Sequence, residues 1–404
     1  MTESASTGHW HVTGARVYTE TGSLPGATLA IDGSQVSDIN RHQTNGGDHI
    51  LRLPEDWHVV PGFIDTHIHG AAGADVMDGS DDALGRISQH VVTEGTTSFL
   101  ATTMTSAPDT LDNAMRALGL FTAPADGAEM LGAHLEGPFV NVDKKGAQPA
   151  EWITPPDTAL FHRWQHLASQ RIKLATLAPE IEGATELIAE LKQQGVRAAI
   201  GHSNCSAAVA QRAFQCGCGR VTHLFNGMSG LHHRDPGVAA AALAEPACVA
   251  EIIADGHHVA TEMLRLAFQA KTSRGLIAIT DAMRAKGMPD GVYDLGGQQV
   301  TVNNGMAQLD DGSLAGSVLT LDQALRNLIE ATDCSLYDAI RMVSTNAAQD
   351  LGVIDRKGTL APGKDADFVV LDAQLNVRLT VCRGRPVYDN GCFAGSGLDA
   401  TRNP

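Results

Sequence analysis

The sequence predicts a (β/α)8 TIM-like barrel joined to a small β-sandwich built from both ends of the chain. Three observations carry this expectation. Eight short apolar runs alternate with amphipathic segments through the middle of the chain. Both flanks are instead rich in strand-like stretches and turn residues. Histidines and carboxylates recur where the apolar runs end, and in a barrel those ends all open on one face.

The eight runs are "VVPGFID", "TTSFLATT", "EMLGAHLE", "RIKLATLAPE", "VRAAIGHS", "RVTHLFN", "CVAEIIADGHH" and "LIAITDA". Helix-like segments lie between them, among them "SDDALGRISQHVVTEG", "TPPDTALFHRWQHLASQ", "GATELIAELKQQG" and "SAAVAQRAFQCG". Several open with Ser, Thr or Asp and close with Gly, as helix caps do. A doubly wound open sheet produces the same alternation, but the count of eight favours a barrel. Residues 9–60 hold "HWHVTGARVYTE", "GATLAIDGSQVSDI" and "HILRLP", and residues 359–393 are again strand-rich with Gly, Asp and Asn turns. Neither flank is long enough for a core of its own. The expected partition is therefore 1–60 and 359–404 as two parts of one sandwich, with the barrel, 61–358, between them.

Composition narrows the function classes. The 404 residues are 43% hydrophobic and 19% charged, in keeping with a globular enzyme. With 46 acidic against 29 basic residues the net charge is −17, which repels nucleic acid and anionic lipid and leaves a small-molecule partner. No apolar run is long enough to span a bilayer, and "MTESASTGHW" lacks the pattern of a secretory leader. The seven cysteines show no C-x-x-C and read as reduced cytoplasmic thiols.

The chemistry lies in the strand ends. In "PGFIDTHIHG" the first barrel strand is expected to end near Asp65, and continued extension puts Asp65, His67 and His69 on one face. "HLEGP" ends the third run with Glu136, "GHS" the fifth with His202, and "THLFN" the sixth with His223. "ADGHH" follows the seventh with Asp255, His257 and His258, and "TDA" ends the eighth with Asp281. A single histidine at a strand end is more often a hydrogen-bonded structural residue than a ligand. Four histidines and two carboxylates together suit zinc, iron(II), manganese or cobalt. Such an ion acidifies water and polarises a carbonyl, with Asp281 placed to accept a proton and return it to a leaving nitrogen, which indicates amide or amidine hydrolysis. Arg234, in the loop "FNGMSGLHHRDPG", is either an anion anchor or the partner of Asp235. Lys144 and Lys145 read equally as a basic spot near Glu136 or as solvated surface.

"PGFIDTHIHG" together with "GTLAPGKDADFVVLD" resembles the amidohydrolase superfamily. "HLEGPFVNVDKKGAQ", "IGHSN", "THLFNGMSGLHHRDPG", "IADGHHV", "ITDAM" and "GSLAGSVLTLDQA" resemble, in order and spacing, its N-acetylglucosamine-6-phosphate deacetylase family across essentially the whole chain. That resemblance implies hydrolysis of N-acetyl-D-glucosamine 6-phosphate in cytoplasmic amino-sugar recycling. By motif it assigns Glu136, His202 and His223 as principal metal ligands, with Asp281 as ligand and acid/base. His67 and His69 match the pair found in members with a second ion, Glu136 bridging. The implied cofactor is zinc or iron, one or two ions per chain, two favoured. Substrate contacts fall to Ala147, Gln148, Asn226, Gly227, Arg234 for the phosphate, His258 for the sugar, and the Leu314, Ala315, Gly316 loop. A homodimer or homotetramer is implied, with Arg234 reaching a neighbour's site. One position departs from the pattern: many members carry a histidine, thought to orient or polarise the acetyl carbonyl, where this chain has Gln148. The alternatives are the galactosamine epimer, a cyclic amidohydrolase or deaminase, and a metal-free interaction protein, which would be expected to have lost ligands.

Overall fold

Apolar runs with a two-residue period build the outer sheets of this chain, and continuous apolar runs build its barrel. The computed structural model describes residues 8–40 and 49–393. Parts of the expected sandwich segments, 1–7, 41–48 and 394–404, lie outside them.

The eight barrel strands are Phe63–Ile68, Thr96–Thr103, Glu129–Glu136, Ile172–Leu177, Arg197–Ile200, Cys218–Val221, Val249–Ile253 and Leu276–Ile279. All pair in parallel, each with the next in sequence. The ring closes where the extension of the eighth strand meets the first: Asp281 N–H donates to His67 O at 2.8 Å and His69 N–H to Ala282 O at 2.8 Å. Helices with one apolar face cover the outside, as in Asp81–Val91, which starts on the Ser80 cap and buries Leu84, Ile87 and Val91. The first strand does not end near Asp65; it runs to Ile68, held in extension by the second strand and by Ile68 N–H on Thr102 Oγ1 at 3.0 Å.

Two further sheets form the sandwich. One holds Gln35–Asn40, Thr28–Asp32, His9–Thr13 and His49–Arg52; the other orders Arg385–Asp389, Val377–Cys382, Phe368–Leu371, His58–Pro61, Arg16–Thr19 and Gly22–Leu24. The second sheet thus joins strands from both flanks. Alternation explains how it serves two cores. Val59, Phe368 and Val370 face Trp10, Leu29 and Ile31 inside the sandwich, while Val60, Val369 and Leu371 face the barrel.

One element lacks a counterpart in the sequence expectations. After the eighth strand the chain folds into a meander, Gly291–Leu295, Gln298–Asn303 and Met306–Gln308. Both its turns place two consecutive residues at positive φ, Gly296 and Gly297 (60° and 81°) and Asn304 and Gly305 (49° and 78°). That is the geometry of two-residue hairpin turns. Its Leu295 packs with Met104, Met283 and Ala315 beside the barrel mouth.

Candidate active site

The strand ends bring six side chains together. Glu136 Oε1 lies 3.2 Å from His202 Nε2 and 3.1 Å from His223 Nε2, and those two nitrogens are 3.1 Å apart. His67 Nε2 is 3.5 Å from the same oxygen and 3.4 Å from Asp281 Oδ1. His69 Nε2 is 3.3 Å from Glu136 Oε2 and 3.2 Å from Asp281 Oδ1. Glu136 therefore turns Oε1 toward His202, His223 and His67, and Oε2 toward His69.

The backbone is bent to achieve this. His202, His223 and Asp281 adopt φ values of 46°, 31° and 50°, in the left-handed region that side chains other than glycine rarely enter. Each costs about 1–2 kcal/mol, a strain typical of sites where the fold fixes an orientation. Gly316 makes room for one of them: a Cβ there would meet the Asp281 carbonyl oxygen at 3.0 Å.

The far ring nitrogens are held by groups that only accept. His202 Nδ1 donates to Lys144 O at 2.9 Å, His223 Nδ1 to Asn226 O at 3.1 Å, and His67 Nδ1 to Glu251 Oε2 at 2.9 Å. A neutral ring so anchored presents a lone pair at Nε2. The lone pairs of His202 and His223 would then face one another and a carboxylate oxygen, and buried His67 Nε2 has no hydrogen-bond partner. Electrostatics agree. Burial opposes charge on His67, but Glu136, Asp281 and Glu251 outweigh it and lift its pKa well above the usual value. Burial likewise opposes charge on His69, yet Asp281 and Glu136 raise it to about 9. Burial acts to raise Glu136 and Asp281 as well, but His67 and its neighbours hold both below the carboxylate range. The cluster calls for positive charge at its centre, and its nitrogen and carboxylate donors fit a divalent cation.

Above the cluster opens a cavity of about 330 Å3. Its wall includes Ala147, Gln148, Asn226, Gly227, His258, Leu314 and Gly316, with Met104 and Leu295 as an apolar side. His258 is steered by Asp255, whose Oδ2 lies 2.6 Å from its Nδ1; burial disfavours its charge, but Asp255 raises its pKa. Ala315 turns away from the cavity into the cluster of Met104, Met283 and Leu295, leaving Leu314 and Gly316 at the wall. Arg234 stands apart: it is exposed, its Nη1 lies 2.8 Å from His233 Nε2, and it does not line the cavity. Among the described residues the cavity wall holds no Lys or Arg.

Three residues around the cluster escaped the sequence reading. Glu251 Oε2 also accepts from the His223 N–H at 3.1 Å, and its Oε1 accepts from Arg220 Nε at 2.9 Å and Nη2 at 2.7 Å. Arg220 continues to Asp350 at 2.8 Å. His134 stacks edge-on against His67 at 4.6 Å and bonds Thr176 Oγ1 at 2.7 Å. The signal was present: Glu251 and Arg220 are lone charges inside short strands, and buried charges demand partners, while His134 is a polar residue between Ala133 and Leu135.

Comparison with known proteins agrees with this geometry. A family model described as "Amidohydrolase family" matches residues 58–387. The N-acetylglucosamine-6-phosphate deacetylase of Bacillus subtilis (strain 168) is 47% identical over 342 residues, 84% of this chain and 86% of that protein. The N-acetylgalactosamine-6-phosphate deacetylase of Escherichia coli O157:H7 is 40% identical over 328 residues, 81% of this chain and 87% of its own. The solved N-acetyl-D-glucosamine-6-phosphate deacetylase of Mycobacterium smegmatis superposes with a TM-score of 0.87 at 32% identity, covering 94% of this chain and all of its own.

Proposed function

The chain belongs to the amidohydrolase family, and from that premise we propose that it hydrolyses N-acetyl-D-glucosamine 6-phosphate to D-glucosamine 6-phosphate and acetate. The observation that carries this reading is the buried cluster of Glu136, His202, His223, His67, His69 and Asp281 beneath a cavity with one apolar side. The acetyl methyl is the apolar group of such a substrate, and Met104 and Leu295 offer it a matching wall.

Glu136, His202 and His223 would hold one divalent ion, and His67, His69 and Asp281 a second, with Glu136 shared. Support comes from Glu136 lying within reach of both sets, its Oε1 facing His202, His223 and His67 and its Oε2 facing His69. Zinc or iron suits the donors, and two ions are favoured. Bound there, such an ion acidifies water and polarises the acyl oxygen. Asp281, held ionised, takes the proton from the attacking water at its carboxylate and delivers it to the sugar nitrogen as the amide C–N bond breaks. His258, braced by Asp255, grips the sugar, and Asn226 and Gly227 line its path.

The phosphate calls for a guanidinium or ammonium group, and among the described residues the cavity wall holds no Lys or Arg. Arg234 rides on an exposed loop with Leu231, 45% exposed, and is available to a second copy. We take the chain to act in the cytoplasm as a homodimer or homotetramer in which Arg234 would enter the neighbour's cavity. No helix of the described residues is long and apolar enough to cross a membrane.

The test is acetate release from N-acetylglucosamine 6-phosphate, its galactosamine epimer and unphosphorylated N-acetylglucosamine. The proposal expects clear preference for the first. Preference for the second would favour the epimer, for which the 40% identical relative is named. Equal rates on phosphorylated and free sugar would reject phosphate recognition.

A further inference from the structure

We propose that Gln148 is a positioning residue for Glu136, tying the carboxylate shared by the histidine sets to the backbone at the exit of the second barrel strand. The inference rests on reading the cluster as a divalent-ion centre. Thr105 N–H donates to Gln148 Oε1 at 2.8 Å, and Gln148 Nε2 donates to Glu136 Oε2 at 3.0 Å. These partners settle which end of the amide is which. A backbone N–H only donates and an ionised carboxylate only accepts, so the oxygen faces Thr105 and the nitrogen faces Glu136. Gln148 is 2% exposed, so both bonds act where water does not compete.

The segment that carries Gln148 is itself fastened. Gln148 N–H donates to Lys145 O at 2.9 Å, and Gln298 of the meander donates from Nε2 to Ala147 O. Glu136 needs such a brace. The last torsion of a glutamate has broad wells, and a small rotation would move both oxygens relative to the imidazoles. With Oε2 pinned by Gln148, Oε1 stays 3.1–3.2 Å from the Nε2 atoms of His223 and His202. In this chain both ends of the Gln148 amide are committed, Oε1 to the Thr105 N–H and Nε2 to the Glu136 carboxylate.

The test uses Gln148→Met, which keeps the length and removes the amide, and Gln148→Asn, which keeps the amide but is one methylene too short to span Thr105 and Glu136. Ion-stripped proteins are titrated with Zn2+ against a chelating indicator, with circular dichroism and thermal midpoint recorded before the ion is added. Partners of ligands are commonly worth about 10–100-fold in ion affinity, and each folded variant is expected to lose that much. kcat should fall at limiting Zn2+, with KM for the sugar phosphate within about twofold of the parent, since ion affinity and not substrate grip is what changes. If either folded variant binds Zn2+ within twofold of the parent, Gln148 does not position Glu136. A risen KM with unchanged ion affinity would make it a substrate contact alone. The titration is read without substrate, so a chain that binds Zn2+ through this brace yet releases no acetate would fault the substrate reading and leave this inference standing.

Discussion

Replacing Glu251 by Gln tests whether the network beneath the cluster shapes it. Glu251 is fully buried and accepts from His67, from the His223 backbone and twice from Arg220. Burial opposes its charge, but Arg220 and His67 hold its pKa well below the usual range, so it is ionised in the folded protein at neutral pH. An amide of the same shape accepts on one side only. Its NH2 must then oppose either Arg220 or the N–H groups of His67 and His223. Breaking a buried pair by neutralising one partner costs about 3–5 kcal/mol; because Arg220 keeps Asp350 at 2.8 Å, the lower end is expected. Loss of the His67 anchor should also weaken ion binding about 10–100-fold. At saturating parent-level ion the variant would lose a further ~1.4–2.7 kcal/mol by linkage. Urea unfolding with and without Zn2+, paired with a Zn2+ titration, separates the two effects. A loss below ~1 kcal/mol without the ion, together with unchanged affinity, would refute the argument that Glu251 anchors the site.

Asp281→Asn should leave the fold intact and lower turnover by about 10²–10⁴, the usual worth of a general acid/base; near-parental kcat would reject that role. Arg234→Ala should raise KM about 10–100-fold for phosphorylated substrate, the value of a lost charge-assisted bond, and leave unphosphorylated sugar unchanged; equal effects would place the phosphate elsewhere. Far from the site, burial pushes Glu129 upward, but Arg356 and Lys357 overcome it and bring its pKa from 4.5 down to about 2. A depressed carboxylate stabilises the fold above its unfolded value and loses that contribution as pH falls through its folded one. The stability gap between parent and Glu129→Gln should therefore narrow on acidification from pH 4.5 toward about 2, as read by unfolding at each pH. A gap that is flat or widens would contradict the pairing.

What the sequence revealed and what it hid follow one physical division. Barrel strands announce themselves because both faces are buried, giving runs such as "LIAI", and His67, Glu136, His202, His223 and Asp281 stand out because they end such runs. Their convergence needed only the shared polarity of parallel strands. Glu251 and Arg220 stayed hidden because they lie inside runs, where a pattern of apolar residues is read past a lone charge; only three-dimensional pairing gives each its reason. The first strand outran its expected end because pairing with the second strand and the eighth strand's extension overrode the local signal of polar residues. The meander carries turn signals in "NNG" and "LGGQ", yet it breaks the barrel's alternation, so the alternating pattern does not reveal it. Arg234 has the opposite difficulty: its motif stands out, but the fold leaves it exposed and away from the cavity of its own chain.

The most direct test of the central claim is to strip the protein of metal and follow acetate release from N-acetylglucosamine 6-phosphate as Zn2+ or Fe2+ is returned in measured equivalents. Release should be negligible without the ion and should rise to a plateau near two equivalents per chain. Full activity in protein holding well under one ion per chain would contradict the claim.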